Sequence, residues 1–86
     1  MHLIEAVQAL VDSGDLNEGQ GNSLIVKLQA AIQALNKGNI RAASNQLTAF
    51  ILQVKAFVKA GVLDLEQAQP LIDTAVDIIY QIWGGF

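Results

Sequence analysis

The sequence predicts an all-α fold, a compact four-helix bundle, and three observations carry that prediction. Apolar residues recur at the i, i+3, i+4, i+7 spacing of one helix face in four successive stretches. Glycine, asparagine or aspartate punctuates the junctions between them, and these residues end and begin helices. Finally, the stretch from Leu3 to Ile32 recurs 47 positions later as Phe50 to Ile79, so the bundle reads as one antiparallel helical hairpin built twice. Identical pairs in that register are Ile4/Ile51, Val7/Val54, Ala9/Ala56, Val11/Val58, Gly14/Gly61, Leu16/Leu63, Gln20/Gln67, Leu24/Leu71, Ile25/Ile72 and Ile32/Ile79.

The first helix spans about Leu3 to Ser13, with Leu3, Ile4, Val7, Leu10 and Val11 on one face. Gly14 supplies the left-handed residue that ends it. Asn17 and Gln20 then have the form of a capping box, preceded by Leu16 as the apolar staple. The second helix continues from there to about Asn36, turning Leu24, Leu28, Ala31, Ile32 and Leu35 inward. Gly19 and Gly21 are expected to weaken its first turn by up to ~1 kcal/mol each relative to alanine.

Gly38 and Asn39 read as a terminating glycine followed by the N-cap of the third helix, about Ile40 to Ala60. That helix points Ala43, Leu47, Phe50, Ile51, Val54, Phe57 and Val58 at the core. Gly61 ends it, and Leu63, Asp64 and Gln67 repeat the staple and capping box. The fourth helix runs from about Leu65 to Trp83, with Leu71, Ile72, Ala75, Val76, Ile78, Ile79 and Ile82 over an arc of ~160°, wider than the usual stripe of ~100°. Pro70 either lies within this helix and kinks it or marks its first residue, and the single helix is preferred. Short connections make consecutive helices antiparallel neighbours. The whole, residues 1–86, is one domain with repeat units at about 3–36 and 40–83.

Composition narrows the function classes. With 52% apolar and 15% charged residues the chain is far from the disordered class. At 86 residues it should bury roughly 63% of its unfolded surface. No stretch approaches the ~18 to 20 apolar residues of a membrane span. A net charge of −3 argues against nucleic acid, whose affinity rests on cations neutralising phosphates. The five cations Lys27, Lys37, Arg41, Lys55 and Lys59 nevertheless fall together in the middle of the chain, with every carboxylate outside them. Complementarity to helix ends accounts for that segregation, and a charged contact surface is the competing account. The N-terminus lacks the pattern of a signal peptide.

The same pattern holds little catalytic chemistry. There is no cysteine, and His2 is the sole histidine, so neither a zinc site nor a base for Ser13, Ser23 or Ser44 is expected. Asp12, Asp15 and Asn17 lack the spacing and terminal glutamate of a calcium loop, and Asp73 and Asp77 read as a solvated pair on a polar face. No cofactor is implied. Asn22, Asn45 and Gln46 adjoin apolar faces and are expected to bond between helices.

On a helical wheel Leu52 falls about 140° from Leu47, outside the core stripe, beside the small residues Ala42, Ala49, Ala56 and Ala60. Three readings follow: the third helix is buried on two sides, or Leu52 and Ala56 belong to a contact face with Val26, Tyr80, Trp83 and Phe86, or the exposure is incidental and needs no explanation.

Several segments together resemble the FIMAH-type helical module of bacterial secreted and surface proteins. They are Val11-x-x-Gly14-x-Leu16, Asn22-Ser23-Leu24 with Lys27-Leu28, Leu35-x-x-Gly38-Asn39, Ala43-x-Asn45-Gln46-Leu47-x-Ala49-Phe50-Ile51-x-x-Val54, Gly61-x-Leu63 and Gln67-Ala68-Gln69-Pro70-Leu71-Ile72. The likeness runs from about Leu3 to Ile79. It implies a non-catalytic accessory or spacer module of a larger extracellular or cell-surface polypeptide, acting on a protein partner. A small structural protein that dimerises through apolar surface left on its third and fourth helices is the alternative.

Overall fold

A computed structural model describes residues 1–84 and contains four helices in chain order. These are α1 (His2–Asp12), α2 (Glu18–Asn36), α3 (Ile40–Lys59) and α4 (Leu65–Ile82). Their limits follow the local chemistry. At the start of α2 the Gln20 amide donates to Asn17 Oδ1 at 2.7 Å while the Asn17 amide donates to Gln20 Oε1 at 2.9 Å, a reciprocal capping box. Asp64 and Gln67 repeat it at the start of α4 at 2.8 and 3.0 Å. Leu16 and Leu63, one residue ahead of each cap, are buried.

The turns that end α1 and α3 use left-handed glycines, Gly14 at φ +84° and Gly61 at φ +79°. Their amides donate to Val11 O and Val58 O. The equivalent leucines return to the preceding helix in both turns, Leu16 N to Leu10 O and Leu63 N to Phe57 O. Carbonyls that a helix end would leave unpaired are thereby satisfied. At the α2–α3 junction Gly38 N donates to Leu35 O and Asn39 N to Ala34 O, after which Asn39 Oδ1 accepts from Ala42 N.

Each helix packs chiefly on the next in the chain, and α1 closes the ring against α4. Leu3 and Val7 of α1, Leu24, Leu28 and Ala31 of α2, Leu47, Phe50, Ile51 and Val54 of α3, and Ala68, Leu71 and Ala75 of α4 form one continuous buried cluster with Leu16 and Leu63. A radius of gyration of 12.5 Å is near the roughly 12 Å expected for a packed chain of this length.

Three expectations are corrected and one alternative is settled. Val76, placed in the core arc of α4, is exposed, because the arc is wider than the face α3 and α1 cover. Leu52 is exposed too, with Ala56 and Ala60, so α3 is not buried on two sides. Gly21 is a packing residue: it is buried, and a Cβ there would collide with the Val11 side chain. What looked like a helix-weakening residue is what lets α1 lie close on α2. The preferred single helix at Pro70 is what forms: α4 runs from Leu65 through Pro70 to Ile82, and the capping box at Asp64 excludes the alternative start at the proline. Pro70 is exposed at the sixth helical position, so the carbonyl it leaves free can turn to water.

Candidate interaction face

Two side-chain hydrogen bonds join helices and fix how α3 lies against its neighbours. Gln53 Nε2 on α3 donates to Ser23 Oγ on α2 at 2.5 Å, and Trp83 Nε1 after α4 donates to Ser44 Oγ on α3 at 2.6 Å. The amides expected to do this, Asn22, Asn45 and Gln46, do not make these bonds; Asn22 and Asn45 are exposed, one position from the serines that do. Gln53 Oε1 is buried without a partner, so that bond leaves one acceptor unsatisfied.

These bonds also say which way each helix is turned. Ser44 lies on the α4 side of α3 and Gln53 on the α2 side, while Trp83 marks the α3 side of α4. At ~100° per residue, Leu52 lies about 80° round α3 from Ser44, on its outer side. On α4, Leu65 and Val76 fall within about 20° of Trp83, and Tyr80 lies about 60° further from the core. Their exposures are 61% for Leu52, 66% for Leu65, 49% for Val76, 47% for Trp83 and 57% for Tyr80. Five large apolar side chains between 47% and 66% open on two neighbouring helices exceed the scatter of single exposed residues that needs no explanation. The exposed cations Arg41, Lys55 and Lys59 lie on the same side of α3.

Of the contact residues read from sequence, Leu52 on α3, Tyr80 on α4 and Trp83 at the end of α4 are exposed. Ala56 is exposed on the outer corner of α3, Val26 is exposed on α2 away from this face, and Phe86 lies outside the described residues. Sequence reading missed Leu65 and Val76. The signal for Val76 was present in the excess width of the apolar arc of α4.

A second feature is an open depression at the α1–α2 turn, lined by Gln8, Val11, Asp12, Leu16, Asn17, Glu18, Asn22 and Ile25. Of its polar groups, Asn17 serves the cap of α2 and Gln8 donates to Asp12 along α1. Among the described residues no three histidine, cysteine or carboxylate groups gather as metal ligands, and no helix is long and apolar enough to cross a membrane.

A family model described as the FIMAH domain matches residues 2–80, nearly the full length of the four helices. The chain belongs to the FIMAH domain family. FIMAH domains are non-catalytic accessory modules, and the four-helix architecture of this one agrees with the resemblance read from its motifs. No curated protein and no solved structure matches the chain.

Proposed function

We propose that this FIMAH domain is a non-catalytic contact or spacer module carried by a larger secreted or surface-associated bacterial polypeptide. The observation that carries the reading is the α3–α4 face, where Leu52, Leu65, Val76, Tyr80 and Trp83 stay open although the same helices bury a full core behind them. Keeping that much apolar surface in water costs solubility, and its ordinary use is an interface. Trp83 supports this, because its indole N–H is already bonded to Ser44 and the ring is held in place before any partner arrives. Held aromatics lose little conformational freedom on binding and make effective anchors.

Photo-cross-linking in the native host tests the reading. A photoreactive residue at Val76 should give a discrete protein adduct, while the same residue at Gln33, exposed on the polar back of α2, should not. Equal labelling at both positions, or none at either, would refute it.

A further inference from the structure

Along α4 the open and half-open residues Leu65, Gln69, Ile72, Val76, Ile79 and Trp83 follow one another at alternating steps of four and three. That is the a/d spacing of a coiled-coil seam, running the length of the helix along the border of its core face. Ile72 and Ile79 also pack against the core and Trp83 is bonded to α3, while Leu65, Gln69 and Val76 are exposed. We propose that this row is a homodimer seam, in which α4 pairs with α4 of a second copy lying parallel to it about a two-fold axis along the helices. The proposal rests on reading the α3–α4 face as a contact surface and names its occupant.

Charge selects the second copy and its direction. The flank of the row away from α3 carries Glu66 and Asp73, both exposed, while α3 on the other flank carries Lys55 and Lys59. Counting along both helices from the Ser44–Trp83 bond brings Lys55 level with Asp73, and Leu52 level with Val76, each to within about one residue. A two-fold axis along the helices keeps those levels and exchanges the flanks. Lys55 of each copy then faces Asp73 of the other, with Lys59 toward Glu66. Antiparallel pairing would instead set lysine flank on lysine flank and carboxylate on carboxylate. Like charges across an interface suppress that arrangement. One surface thus holds both halves of a complementary pattern, which is the condition an isologous dimer must meet.

Size-exclusion chromatography with light scattering on the intact chain should give twice the 9.2 kDa chain mass. Val76→Glu should be monomeric with unchanged helical circular dichroism, since the position is half open. Lys55→Glu and Asp73→Lys should each raise the dimer Kd several-fold, and combining them should restore it, a pattern that misfolding cannot produce. Because the chain has no cysteine, Leu65→Cys and Val76→Cys report direction: parallel pairing lets each form a disulfide with its own copy. A monomer at every concentration, a dimer that survives Val76→Glu, or cysteines at 65 that link only to cysteines placed at 83 would overturn the seam. A monomer would leave the contact-module reading intact, because photo-cross-linking to another protein tests that separately.

Discussion

Trp83 Nε1 donates to Ser44 Oγ at 2.6 Å, joining the residue that caps α4 to the first turns of α3 across 39 positions of chain. The acceptor is buried, the ring half open, and the bond fixes both where α4 ends and which of its faces meets α3. Ser44→Ala should therefore cost about 1 kcal/mol in urea unfolding, the usual worth of such a bond. It should also red-shift the emission of the sole tryptophan as the indole is released into water. Unchanged emission together with unchanged stability would mean the bond does not persist in solution.

Gly21→Ala sets helix propensity against packing. Propensity favours alanine by about 1 kcal/mol, but the added methyl must displace the Val11 side chain or push α1 away. Overpacking of this kind costs roughly 1 to 3 kcal/mol, so a net loss of stability is expected by thermal or chemical denaturation. A more stable variant would show that α1 can shift at little cost.

At Gly14 and Gly61 space is not the issue, since nothing stands within 4 Å of a Cβ built there. The left-handed backbone is, and a β-branched side chain is strained in it. Gly14→Val and Gly61→Val should each lose roughly 1 to 2 kcal/mol of unfolding free energy. A neutral result at either turn would show that its backbone can leave the left-handed region.

Leu52→Glu should fold normally. The side chain is open and on no buried face, so monomer stability measured at low concentration should move by less than about 0.5 kcal/mol. Loss of the helical signal would restore the reading in which α3 is buried on two sides.

Element limits were legible because they depend on chemistry a few residues long. Asn17 with Gln20, Asp64 with Gln67, and the glycines at 14, 38 and 61 each act on their own helix end, and each does so here. Relations between helices were not legible in that way. Which of two neighbouring residues bonds across, Asn22 or Ser23, Asn45 or Ser44, depends on helix rotation to within a fraction of a turn, and periodicity does not resolve that. Gly21 carries the same lesson, because its role lies in the position of Val11 on another helix. The candidate face was legible in part: Leu52, Tyr80 and Trp83 stood out as apolar residues off the core stripe. Val76 was hidden inside a stripe too wide to be wholly buried, and only the packing of α3 shows where burial stops.

The ring of helices, in which each packs on its successor and only α1 and α4 meet across the chain, has a kinetic consequence. Nearly every contact can form after closing a loop of one hairpin, so little chain entropy is lost before favourable contacts repay it. Helical chains with such local contacts fold in microseconds to milliseconds. A unit of this kind is structured almost as soon as its last helix leaves the ribosome. It can therefore be joined to a slower-folding polypeptide without waiting on it, and without exposing its core to that neighbour.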